Sequence, residues 1–167
     1  MEQVQEMARD LHTIRLCVEL GFADAEMAAQ WADMVIKAEP SAESTFCELS
    51  LLAEKRPADV LDLLSAYPVA NCRPESWAKM LSWIAVRVRN NQIDAGDVIS
   101  RINHFTMQPG SETSYIAEQF NWLDDSYKLA KDQVAGSLAE VRETLLQELD
   151  DLCKPQSLEK LPGPKGN

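Results

Sequence analysis

TSYIAEQFNWLDDSYKLAKDQV, residues 113–134, followed by AGSLAEVRETLLQELDDL, residues 135–152, decides the fold of this chain. In the first segment Ile116, Phe120, Leu123, Tyr127 and Ala130 recur every three or four positions. That period places side chains on one face of an α-helix rather than on alternate faces of a strand. In the second, Leu138, Val141, Leu145, Leu149 and Leu152 form a like stripe, opened by Gly136 and Ser137. A second set on the first segment, Tyr115, Trp122 and Leu129, repeats every seven residues on a neighbouring face.

Working outward, each remaining stretch shows the same period between recognisable stop signals. A first helix runs from about Gln3 to Leu20 and ends at Gly21, and Asp24 caps a second from Ala25 to about Ala38. On that second helix the expected inward stripe is Ala28, Trp31 and Val35, with Met27 and Met34. Ser41 caps a third, extending through Leu49, Leu51 and Leu52 to Lys55. Pro57 opens a fourth and Pro74 a fifth, Pro being tolerated in the first turn. In the fifth, Trp77, Met80, Leu81, Ile84 and Val88 share a side, while Trp83 and Val86 fall outside it, so burial on more than one side is expected. Asp94 caps a sixth that ends near Met107. No stretch alternates long enough for a strand. The reading is all-α: a single-domain bundle of seven or eight helices over residues 1–154, built as a bundle or as stacked helical hairpins, with a disordered tail over 155–167. The turns Leu20–Glu26 and Asn91–Asp97 lie about 70 residues apart and share a capping Asp, which is read as common capping chemistry rather than as duplication.

Composition bounds the function. A chain of 167 residues with 46% hydrophobic residues and four Trp can bury a core without staples. No apolar run approaches the ~18 residues of a membrane span. The start MEQVQE has no basic and apolar signal regions, and Cys17, Cys47, Cys72 and Cys153 form no C-x-x-C, so a cytoplasmic protein with reduced thiols is expected. The net charge is −11, with eleven acids against five bases over 1–56 and ten against four over 111–154. Arg73, Lys79, Arg87, Arg89 and Arg101 occupy the balanced middle. Such a surplus repels nucleic acid and attracts a basic protein.

Catalytic and cofactor motifs are missing from the sequence. The two histidines, His12 and His104, are far apart and belong to no H-E-x-x-H; no phosphate-binding glycine loop and no G-x-S-x-G elbow occurs. No catalytic, cofactor or metal residue is therefore assigned. Trp and Tyr are favoured interface anchors, so the second stripe on residues 113–134 reads either as a contact with a second packed helix or as a partner-binding strip. The strip would comprise Tyr115, Glu118, Trp122, Asp125 and Leu129, with Glu118 and Asp125 flanking Trp122 on the helix.

Leu20-Gly21-Phe22 with Glu26, Trp31-Ala32-Asp33 with Ile36, Glu48-Leu49-Ser50, and Asp59-Val60 with Leu63-Leu64 together resemble little-characterised bacterial all-helical proteins. Some of those are regarded as candidate immunity proteins of contact-dependent toxin systems. The resemblance covers residues 14–64 and carries no binding residues over. It implies a cytoplasmic inhibitor that covers the active surface of a cognate toxin. Two function classes follow: a non-catalytic module that binds a basic protein, or a helical small-molecule-binding protein or enzyme with a pocket of Trp77, Met80, Trp83, Arg87 and Arg89.

Overall fold

Three of the chain reversals are made by one local device. At Gly21, Asn91 and Gln133 the backbone takes a left-handed conformation (φ 77°, 55° and 57°) that stops the preceding helix. Each of these N–H groups, and the next, then folds back on carbonyls of the final turn. Gly21 donates to Val18 and Phe22 to Cys17; Asn91 donates to Val88 and Gln92 to Arg87; Gln133 donates to Ala130 and Val134 to Leu129. This satisfies carbonyls that a helix end leaves without partners. Glycine adopts such a backbone without strain, whereas Gln133 does so against a Cβ penalty. After the reversal, Asp24, Asp94 and Ser137 accept hydrogen bonds from the first turn of the next helix. Ser137 and Glu140 complete a reciprocal capping box.

The computed structural model describes residues 2–42, 44–65, 73–108 and 114–154; side chains of residues 2–9, 73, 74, 114 and 115 are excluded. Among the described residues there are eight helices and no strand. They are α1 (Glu2–Glu19), α2 (Ala25–Ala38), α3 (Ser44–Ser50), α4 (Pro57–Ser65), α5 (Arg73–Arg89), α6 (Ala95–Thr106), α7 (Ser114–Lys131) and α8 (Leu138–Leu152). The protein is all-α, as its periodicity predicts. The expected tail, 155–167, lies outside the described residues.

The helices group into two compact units that divide between Trp77 and Ala78, within α5. In the first, α2 packs on α3 and α1 on α4, around Leu11, Ile14, Ala28, Phe46, Leu49 and Val60. In the second, α6 packs on α7, and α8 packs on both. Its buried residues include Leu81, Ile84, Ile99, Ile102, Phe120 and Leu145. Gly96 lets α6 approach α7: a Cβ there would run into the ring of Tyr127.

The likeness between the two units exceeds a shared capping Asp. A shift of 70 residues carries the start of α2 onto that of α6 and the start of α3 onto that of α7. The same shift takes buried Leu11, Ile14, Val18, Ala28, Ala29 and Ala32 onto buried Leu81, Ile84, Val88, Val98, Ile99 and Ile102. The shift does not carry α4 onto α8, whose starts lie 81 residues apart, so the likeness extends over the first three helices of each unit.

Four details of packing differ from expectation. On α2 the buried face is Ala25, Ala28, Ala29 and Ala32; Trp31 is half-buried and Met34 exposed. Small side chains permit close approach to α3, and the larger apolar ones are left toward the edge. On α3 the helix stops at Ser50, and Leu51 lies exposed in the following turns. The amides of Leu51, Leu52 and Lys55 bond three residues back, to Glu48, Leu49 and Leu52, so the chain passes into tight turns in place of the last helical turn. On α5, Val86 is exposed. On α8, Leu138 is exposed although it continues the apolar stripe.

A candidate partner-binding surface on α7 and α8

α7 carries its two stripes differently. Ile116, Phe120 and Leu123 are fully buried and Ala130 nearly so, which fixes the inner face of the helix. Trp122 and Leu129, one phase step away, are 55% and 45% exposed. Trp122 and Leu129 are therefore not buried under a second helix, although α7 as a whole packs on both α6 and α8. Tyr115, the third member, has its side chain outside the described residues.

The strip forms one wall of a groove of about 260 Å³ between α7 and α8. Leu123 and Val141 line its depth, and Ser126, Ala135, Gly136 and Thr144 line it with small side chains. Two of its hydroxyls are turned onto their own helices, and a third, that of Ser137, is held by the Glu140 carboxylate. Ser126 Oγ donates to the Trp122 carbonyl at 3.0 Å, and Thr144 Oγ1 to that of Glu140 at 2.9 Å. Methylene and methyl groups thus face the groove, and its walls are more apolar than the residue names suggest. Sequence reasoning placed α7's half of this surface but missed the α8 half; the signal was present in Thr144, which breaks the charged outer face of α8.

Charge around the strip is uneven. The adjacent pair Asp124 and Asp125 is split by helical phase: Asp124 is buried against Lys128 Nζ at 2.6 Å, while Asp125 is exposed. Hydrogen bonding and charge at Asp124 raise the Lys128 pKa above the ordinary lysine value. Arg142 donates to the Val88 carbonyl at 2.9 Å and lies 3.6 Å from Glu143, and Lys154 pairs with Asp151. Among the described residues neither Glu118 nor Asp125 has an ion-pair partner, and both are exposed. Glu148, one turn beyond Thr144 on α8, is half-buried; burial and, secondarily, Asp151 push its carboxyl pKa up.

No protein family, curated protein or solved structure matches this chain.

The residues of the alternative small-molecule pocket are distributed otherwise. Trp77 and Met80 face inward and are buried. Arg87 lies over the Trp83 ring, 4.2 Å from its centroid, an arrangement in which the ring quadrupole holds the cation. Arg89 grips both oxygens of Asp150 at 2.6 and 2.7 Å. Both guanidiniums are thus engaged with protein groups. A second cavity, of about 350 Å³, is lined by the α5–α6 turn, Tyr127 and the start of α8. Its charged groups are also engaged, Asp94 on the Gly96 and Asp97 amides and Arg142 on the end of α5.

His12 is buried on α1 and His104 exposed on α6. Among the described residues no three His, Cys, Asp or Glu side chains gather as a metal site would need, and no helix is long and apolar enough to cross a membrane. The cysteines differ sharply in environment. Cys17 is buried and Cys47 exposed, while Cys153 donates to the Ala78 carbonyl. Burial, with Asp150 nearby, pushes the Cys153 pKa to about 11. Since the thiolate is the reactive form, Cys47 is expected to alkylate with iodoacetamide well before Cys153 at pH 8. Cys153 should react appreciably only as the pH approaches its raised pKa. Peptide mapping of a labelling time course reads this; equal rates at pH 8 would show that Cys153 is not desolvated.

Proposed function

We propose that this protein is a non-catalytic protein-binding module whose contact surface is the outer strip of α7, and whose partner is basic. The observation that supports the reading most directly is Trp122, an exposed indole one residue from the fully buried Leu123 and two from Phe120. Exposed apolar groups that cluster, rather than scatter, mark contact surfaces. Trp is the side chain most enriched among residues that dominate binding energy. Unpaired Glu118 and Asp125 beside it favour a cationic partner and disfavour nucleic acid.

An immunity-type inhibitor is the sharpest form of this reading. Such a protein acts by masking a toxin's active surface, which requires affinity and shape but no reactive group. The resemblance over residues 14–64 and the surplus of acids support it.

The test is Trp122→Ala, melted before it is assayed. Because the indole is more than half exposed, the melt should shift by no more than ~1 kcal/mol equivalent. Capture of a partner from the native cytoplasm should weaken by ~2 kcal/mol or more, the loss typical of an interface anchor. If the variant stays folded and captures every partner as well as wild type, the strip is not the contact surface.

A further inference from the structure

We propose that the groove between α7 and α8 is the seat of a basic amphipathic helix supplied by the partner, with apolar side chains on Trp122 and Leu129 and lysines or arginines on the acidic rim. This rests on the reading of α7 as the contact surface and adds to it the form of what binds there.

Spacing comes first. Trp122 and Leu129 are seven residues apart on one helix, about 10 Å along the axis at ~1.5 Å per residue. A docked helix presents anchors at i, i+3 or i+4, and i+7 over the same length. The channel beside them is lined by small residues, Ser126, Ala135, Gly136 and Thr144, which leave room for protruding side chains. Backbone accounting excludes an extended occupant. Along α7 and α8 the walls are helices whose backbone groups are already paired, with Ser126 and Thr144 turned onto those backbones, and at the turn the Ser137 hydroxyl and Glu140 carboxylate are held by their capping box. A strand laid there would bury N–H and C=O groups against apolar walls with nothing to bond. A helix brings its own hydrogen bonds satisfied.

Charge selects the partner's sign. Glu118 and Asp125, four before and three after Trp122 on α7, are exposed without an ion-pair partner, and Glu140 lines the groove from α8, while Lys128, Arg142 and Lys154 are held by other groups. A second copy of this chain would set these carboxylates against their own kind, so self-association through the groove is disfavoured.

Three fluorescein-labelled 15-residue peptides test the proposal against the full chain by anisotropy. One is a Leu/Lys peptide with leucines at helical spacing, the second has the same composition in strict alternation, and the third keeps the helical spacing with Glu for Lys. The helical Leu/Lys peptide is expected to bind, the alternating one at least about tenfold more weakly, and the Glu peptide not at all. Thr144→Arg, which fills the α8 side and leaves the α7 strip intact, should weaken binding roughly 30-fold; Leu129→Lys serves as the second variant should Thr144→Arg melt early. Charge reversal at Glu118 and Asp125 should slow association and flatten its salt dependence. Equal binding of the alternating peptide, no binding of the helical one, or indifference to both groove variants overturns the proposal. Sedimentation showing a dimer abolished by Trp122→Ala would overturn it in favour of a second copy. Loss of native capture in Trp122→Ala alongside any of these results would leave the α7 strip standing and remove only the helix.

Discussion

Phe120→Ala is expected to destabilise the protein by ~3–5 kcal/mol, the range for emptying a buried aromatic site. Phe120 is fully buried on the inner face of α7, on the same side as Ile116 and Leu123. α7 contacts both α6 and α8, so a void at its centre loosens both packings at once and neighbouring helices cannot close it without giving up other contacts. A loss of this size is a large part of the ~5–15 kcal/mol that ordinarily separates a folded domain from its unfolded chain. Urea unfolding followed by tryptophan emission measures it. A cost below about 1 kcal/mol would mean that the inner face of α7 is not packed as described. The contrast with Trp122, two residues away, makes the pair informative: one side chain should govern folding and the other binding.

Phe46→Ala should cost a similar ~3–5 kcal/mol, and it should also remove a helix. α3 has only seven residues, far short of the ~12–15 that an isolated helix needs to be even marginal in water. It exists because Phe46 and Leu49, three residues apart, both enter the core of the first unit. With Phe46 truncated, one of the two anchors is gone, and the backbone amides of residues 44–50 should lose hydrogen-exchange protection before those of α1 or α2. Retained protection in that segment would show that α3 is held by something other than its apolar face.

The residues that mark helices were legible because their signals are local. A capping Asp at 24 and 94, the Ser137–Glu140 box and the glycine at 21 act within a turn of where they stand. The inner stripes of α5 and α7 were legible for the related reason that a strong apolar period leaves one economical face. Where two faces competed, the local signal was insufficient. On α2 the large apolar residues suggested one phase and the alanines took the core, because the packing distance to α3 favours small side chains over hydrophobic ones. On α3 the run Leu49, Leu51 and Leu52 suggested a longer helix, whereas only Phe46 and Leu49 are buried and the chain turns after Ser50.

By itself, then, the sequence determined the all-helical class, the positions of the reversals and the buried faces of α5 and α7, since each depends on spacing along one helix. Only the tertiary structure decided that Trp122 and Leu129 stand open to solvent, that Thr144 and Val141 of α8 complete their groove, and that Lys128 pairs with buried Asp124 while Asp125 stays exposed. The physical reason is that a helical period fixes the angle between side chains on one rod, whereas exposure depends on which other rod lies at that angle. That second quantity is set by packing between segments remote in the chain, and no spacing within α7 contains it.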